Sequence, residues 1–180
     1  TSNPAESDRL KLMQLGAQCY GGFLNSISYK GFQLDFLLEF KKQFGIHILE
    51  LNNGIGRFFV TNANFVIGNQ PVEVMSRWQK PGDHSNYQRF STTGAGLSDF
   101  FSLDSRAYGD ASYIRVKNVA VSYKLPSSII KQAGIKDIRG FANVQNLLTF
   151  TRYLGLDPET QSVTSLPPLR IITVGIQAGF

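Results

Sequence analysis

Between Phe32 and Phe44 the chain reads FQLDFLLEFKKQF, and its apolar residues keep a period of two. Phe32, Leu34, Phe36, Leu38 and Phe40 fall on one side, while Gln33, Asp35, Glu39 and Lys41 fall on the other, with Leu37 the exception. An amphipathic helix does not place apolar residues at strict i, i+2 spacing, so this segment predicts a strand with one apolar and one polar face. Upstream, Phe23, Ile27 and Tyr29 share a face, with Leu24, Ser26 and Ser28 opposite. Lys30-Gly31 joins the two runs, and the glycine is free to take positive φ, so Cys19 to Phe44 predicts a β-hairpin.

Strand character returns in YIRVKNVAVSYK, Tyr113 to Lys124, but its phase breaks. Val119, Val121 and Tyr123 share one face, and Ile114 and Val116 the other. A bulge near Lys117-Asn118 would account for the flip, as would an upper half standing outside a membrane. PSSIIKQAG then predicts a short helix capped near Pro126 to Ser128 and stopped at Gly134. In the strand from Ile138 to Thr151, Ile138, Ala142 and Val144 oppose Arg139, Asn143 and Gln145. A proline-bearing loop leads to the last strand, Leu169 to Phe180. There Ile172, Val174, Ile176, Ala178 and Phe180 make an apolar face, and Thr173, Gly175, Gln177 and Gly179 a polar or small one. The expected strands are thus 18–29, 32–44, 111–124, 137–151 and 169–180. Residues 45–110 are expected to be a long loop, with turns at Asn52 to Gly56 and Lys80 to Asp83 and a short helix from Pro71 to Trp78.

A sandwich core and a lipid-facing barrel wall fit this alternation equally well. The lengths of the links are more informative. The short ones, 30–31 and 125–136, fall on one side, and the long ones, 45–110 and 152–168, on the other. That asymmetry is the habit of outer-membrane barrels, with short periplasmic turns and long external loops, and it places the C-terminus on the short-turn side. No run of 18 apolar residues is present, so no transmembrane helix is expected, which leaves a barrel untouched. The opening TSNPAESDRLKLMQLG lacks the apolar region of a signal peptide. Only 17% of the 180 residues are charged, and 14 are Phe and 17 Gly, a balance that favours β structure. The net charge is +5, but Lys and Arg are scattered, so no nucleic-acid patch is expected. Cys19 is the sole cysteine and excludes an internal disulfide.

Chemistry is sparse. His47 and His84 stand far apart with no partner at metal-ligand spacing, and neither a nucleophile elbow nor a phosphate-binding glycine loop occurs. Asp157 and Glu159 as paired acids lack a supporting feature, and the turn chemistry of Asp157-Pro158 accounts for them. No catalytic residue, metal ligand or cofactor site is assigned, and no enzyme is expected. Trp78 and Tyr87, in the long loop, are candidate binding contacts that could stack on a sugar or a peptide side chain; the plainer alternative is that Trp78 anchors the loop's own small core.

Four stretches together resemble a known family. They are RWQKPGD (Arg77 to Asp83), ASYIRVKNVAVSYKLP (Ala111 to Pro126) with the following Gly134-Ile135, NVQNLLTFTRYLGLDPE (Asn143 to Glu159) and the closing PPLRIITVGIQAGF. This resembles the C-terminal end of SusC/RagA-type TonB-dependent transporters, and YGGFLNSISYKGFQLDF (Tyr20 to Phe36) looks like the family's preceding hairpin. The resemblance implies an all-β fold: about five C-terminal strands of an antiparallel transmembrane barrel of roughly 22 strands, with long extracellular loops. Such a segment needs the remainder of its own barrel, because open strand edges are not tolerated in lipid. Phe32, Leu34, Phe36, Leu38, Phe40, Ile172, Val174 and Ile176 would meet outer-membrane lipid. Gln33, Asp35, Glu39, Asn143, Gln145 and Gln177 would face the lumen. Phe180 would resemble the signal read by the barrel-assembly machinery. Tyr29, Phe32 and Tyr123 would belong to the periplasmic aromatic girdle.

By the same resemblance the whole protein would import oligosaccharides or oligopeptides across the outer membrane. A SusD-like surface lipoprotein would cap it, against which Trp78 and Tyr87 could pack. The TonB complex would act through a plug and an N-terminal region that these residues do not match. Two alternatives stay open: a barrel that scaffolds surface lipoproteins or assembly factors without transport, and a soluble all-β binding module.

Overall fold

Lys30 and Gly31 both take positive φ, 45° and 87°, which is the signature of a type I′ turn. The twist of that turn matches the right-handed twist of the strands it joins, and Tyr29 pairs directly with Phe32 across it. In the computed structural model the described residues are 7, 12–47, 69–85, 87, 89–90, 105–130, 134–162 and 165–180. The strands are β1 (Cys19–Tyr29), β2 (Phe32–Lys42), β3 (Phe44–Ile46), β4 (Tyr108–Asp110), β5 (Tyr113–Lys124), β6 (Asp137–Thr151) and β7 (Ile171–Gly179).

Five of them form one open antiparallel sheet in the order β1-β2-β5-β6-β7, and β3 and β4 form a separate two-stranded sheet. The sheet lies in a unit made of residues 14–45 and 110–180. A helix, α1 (Ser127–Ile130), spans a single turn, and Gly134, where it was expected to stop, has φ 69°. Among the described residues no helix is long and apolar enough to cross a membrane, which says nothing of a barrel.

The phase break in β5 is a bulge. Leu37 pairs with Asn118 and Leu38 with Val116, so Lys117 is one extra residue on β5. On the next strand the register passes from Val116–Leu148 to Asn118–Gln145, leaving Asn146 and Leu147 opposite Lys117. Asn146 takes a positive φ of 51° there, a conformation Asn tolerates better than most residues. One extra residue reverses the facing of all that follows, and two extra residues restore it. Ile114 and Val116 therefore share a face with Val119, Val121 and Tyr123, opposite Phe40, Leu38, Phe36, Leu34 and Phe32.

Two strand ends fall short of expectation. β2 ends at Lys42 because the Gln43 N–H turns to Ser112 Oγ, at 3.3 Å, and the chain re-enters a different sheet at Phe44. β7 begins at Ile171, because the Leu169 carbonyl accepts from the Asn146 side chain at 3.0 Å.

The described parts of residues 1–13 and 46–109 form a second unit. The long link therefore carries structure of its own, including a 3-10 turn at Val72–Ser76 where a short helix from Pro71 was expected. Val74 is its buried anchor. The Lys80 to Asp83 turn is present, with Gly82 at φ 97° and Asp83 Oδ2 accepting from the Gln79 and Lys80 amides at 3.0 Å each. The turn expected at Asn52 to Gly56 lies outside the described residues.

Gly31 is fixed by its neighbour as well as by its φ. A Cβ there would stand 2.7 Å from the Lys124 carbonyl oxygen, which leaves no room for a side chain. Gly31→Ala is expected to destabilise the folded protein by at least about 1–2 kcal/mol, read as the shift of the urea unfolding midpoint.

Candidate functional site

The polar face of the sheet is continuous across its strands. Asp35 is level with Ala120, Asn143 and Thr173; Gln33 with Ser122, Phe141 and Gly175; Glu39 with Arg115 and Thr149. Gln33, Asp35, Glu39, Asn143, Gln145 and Gln177 thus share one face. Phe32, Leu34, Phe36, Leu38, Phe40, Ile172, Val174 and Ile176 share the other. Phe141 is an aromatic residue on the polar face, lying over Gly175, where a Cβ would come within 2.5 Å of its ring. Phe23 and Phe36 meet on the apolar face with ring centroids 6.0 Å apart.

At the long-loop end the polar face carries a charge network. Arg115, only 1% exposed, points its guanidinium at the loop after β6. It donates to Asp157 through Nη2, to Glu159 through Nη1 at 2.6 Å, and to Thr149 Oγ1 through Nε at 3.0 Å. Asp157 is 4% exposed and has two tasks. One oxygen takes Arg115, and the other accepts the Glu159 and Thr160 amides at 2.9 and 3.0 Å, which closes the turn after Asp157. The turn chemistry expected of Asp157 is present, and its ion pair with Arg115 adds a second function that spacing along the chain does not show.

The bulge extends the network sideways. Lys117 Nζ reaches Glu39 Oε2 at 2.7 Å and lies 3.9 Å from Glu159, while the Tyr113 hydroxyl donates to Glu39 Oε1 at 2.8 Å. Gln43 Nε2 adds a bond to the Pro158 carbonyl at 2.7 Å. The loop that starts after Thr151 is therefore fixed to the wall. Tyr153 packs within it, and burial, then the negative charge of Asp157, pushes its phenol above the ordinary value. These hydrogen bonds and ion pairs hold the start of the loop in a fixed shape.

A second polar cluster lies towards the short-turn end. Gln33 joins Asp35 to Arg139, donating to both carboxylate oxygens at 2.9 and 3.2 Å and accepting from Arg139 Nη2 at 3.3 Å. Arg139 Nη2 also donates to Ser122 Oγ at 2.8 Å. Asn143 faces the same recess, which has a volume of about 320 Å³.

The remaining expected residues sit elsewhere. Trp78 and Tyr87 belong to one loop, joined by the Trp78 N–H to the Tyr87 carbonyl at 2.9 Å, and both are half-buried. Phe180 is exposed, and its carbonyl accepts from Lys136 Nζ at 2.7 Å. Arg115, Lys117, Tyr113 and Arg139 are the functional candidates that sequence reasoning missed. A cation inside an alternating strand, on the face that carries Glu39, was the available signal for Arg115.

No family model matches the chain. TonB-dependent receptor P3 from Formosa agariphila is 27% identical over 174 residues, covering 88% of this chain and 16% of that protein. TonB-dependent receptor P39 from the same organism is 29% identical over 140 residues, covering 77% of the chain and 13% of that protein. Among solved structures, the RagAB peptide importer in its open-open state matches with a TM-score of 0.62 at 24% identity, over 89% of this chain and 17% of the matched one. The closed-closed state of the same importer gives a TM-score of 0.66 at 23% identity, over the same shares. At these identities the structures speak for the fold, and the chain spans about one sixth of the relatives' length, between 13% and 16% for the two receptors.

Removing Arg115 would leave Asp157 charged, buried and unpaired. Arg115→Met is expected to cost about 3–5 kcal/mol, and Arg115→Met/Asp157→Asn to recover part of that loss. A double-mutant cycle by vesicle refolding, with hydrogen exchange of residues 152–162 as the local readout, checks both statements.

Proposed function

We propose that this chain is the C-terminal barrel segment of a SusC/RagA-type TonB-dependent transporter and that the whole protein imports a polymer-derived nutrient across the outer membrane. The substrate would be an oligopeptide or an oligosaccharide. The mechanism is binding and gated passage without covalent chemistry. The TonB complex would drive it through parts of the protein beyond these residues, and a SusD-like lipoprotein would cap the long-loop side, with Trp78 and Tyr87 as candidate contacts. The C-terminus would be periplasmic, residues 1–180 would all belong to the barrel and its loops, and Phe180 would serve the barrel-assembly machinery.

One observation carries the reading: the sheet is inverted relative to a water-soluble one. Its buried residues are Tyr113, Arg115 and Ser122, two of them polar, while Val174 is 75% exposed and Ile176 80%. Among the described residues no second layer covers the apolar face, and a soluble module with this face bare would aggregate. Lipid is the solvent that suits it, with the polar face turned to an aqueous lumen. Closure by further strands would supply the ladder partners that β1 and β7 lack at the sheet edges.

Substitution on adjacent residues of β7 separates the two faces. Val174→Arg is expected to cost about 2–4 kcal/mol in vesicle refolding if it lies near the bilayer midplane, and Thr173→Arg far less. Equal costs would contradict the assignment. For transport, uptake of labelled oligopeptide or oligosaccharide by cells carrying the full-length protein should stop when TonB is deleted or a protonophore is added. Unchanged uptake would sink the importer reading, and surface lipoprotein recruitment without any uptake would favour the scaffold.

A further inference from the structure

At the long-loop end the apolar face closes on a row fixed by strand pairing. Phe40 is level with Ile114, and Ile114 with Phe150, and all three are exposed. Lys42 follows Phe40 by two residues on β2 and so lies on the same face, at the last position of the strand. Arg152 follows Phe150 by two residues, one past the end of β6. Both cations are exposed, and neither forms an ion pair among the described residues. Asp110 is the acid beside them. The Ser112 hydroxyl and amide hydrogen-bond its carboxyl and hold it below the ordinary value, and the charges of Arg152 and Lys42 lower it further. Two cations against one carboxylate leave this spot positive.

We propose that Lys42 and Arg152 hold the phosphate of an anionic lipid in the leaflet on the long-loop side, with its acyl chains lying on Phe40, Ile114 and Phe150. β2 and β6 flank β5, so the two strands stand about 10 Å apart. Side chains as long as those of Lys and Arg close that gap around one tetrahedral anion, Arg as a planar fork and Lys as a point charge. The apolar row below the pair selects the ligand. A free anion would leave that row bare, and a neutral lipid would leave the cations without a counter-charge. A phosphate joined to acyl chains meets both at the height where headgroup gives way to hydrocarbon. The inference rests on the reading of this face as lipid-facing and adds a headgroup site to it.

The test titrates the full-length protein in detergent with diphosphoryl lipid A and reads bound lipid by native mass spectrometry. Lys42→Gln/Arg152→Gln is expected to weaken binding about thirtyfold, about fivefold for each cation removed near a lipid surface. Asp110→Asn keeps an acceptor for the Ser112 amide and removes the opposing charge, so it is expected to tighten binding about fivefold, a gain that damage to the fold would not produce. Lys41, level with Tyr113 on the opposite face, is the control, and Lys41→Gln is expected to leave binding unchanged. The inference is overturned if the Lys42/Arg152 double variant binds lipid A like the wild type. It is also overturned if Lys41→Gln and Lys42→Gln weaken binding equally, the mark of diffuse attraction to net charge. Displacement of lipid A by inorganic phosphate at equal concentration would overturn it too, because the acyl chains would then add nothing. Failure of the lipid-face reading is seen separately, as a loss confined to Lys41→Gln.

Discussion

A single extra residue, Lys117, decides which way half of a strand faces. Without the bulge, the side chains above it on β5 would be reversed. Ile114 and Val116 would enter the polar face, and Tyr113 and Arg115 would stand among Phe40 and Leu38. With it, five apolar residues of β5 stay level with five of β2, and Arg115 reaches Asp157 and Glu159. Lys117, the inserted residue itself, links Glu39 to that network. Both faces of the sheet and the anchoring of the following loop depend on this irregularity.

The same arrangement explains how residues 152–162 are held to the sheet. Asp157 closes its own turn with one carboxylate oxygen and takes Arg115 with the other. A buried ion pair is not a strong source of net stability, since desolvation offsets much of the attraction. What it supplies is position, because breaking it leaves a charge with no solvent. Loops held on a rigid scaffold present their polar groups at fixed sites, which suits recognition.

Much of the fold was legible because it rests on local signals. The Lys30-Gly31 turn and the period of two in β2 reveal the hairpin, and the broken phase of Tyr113 to Lys124 points to the bulge. The site was less legible. Arg115 and Asp157 are brought together by a loop whose path no periodicity encodes. The position of Phe141 on the polar face depends on Gly175, far along the chain, leaving room for its ring. The early ends of β2 and the late start of β7 come from side chains, Ser112 and Asn146, that compete for backbone groups the ladder would otherwise use. The two prolines before Leu169 mark the approach to β7, but they do not show where pairing begins.

The central claim is that the alternating faces divide lipid from lumen. It is tested most directly by a nitroxide scan of residues 171–179 in the full-length protein, reconstituted in bilayers. Collision with oxygen, which concentrates in lipid, should peak at Ile172, Val174, Ile176 and Ala178. Collision with a water-soluble nickel chelate should peak at Thr173, Gly175 and Gln177. Two out-of-phase profiles with a period of two are the predicted result, and profiles that rise and fall together along β7 would contradict it.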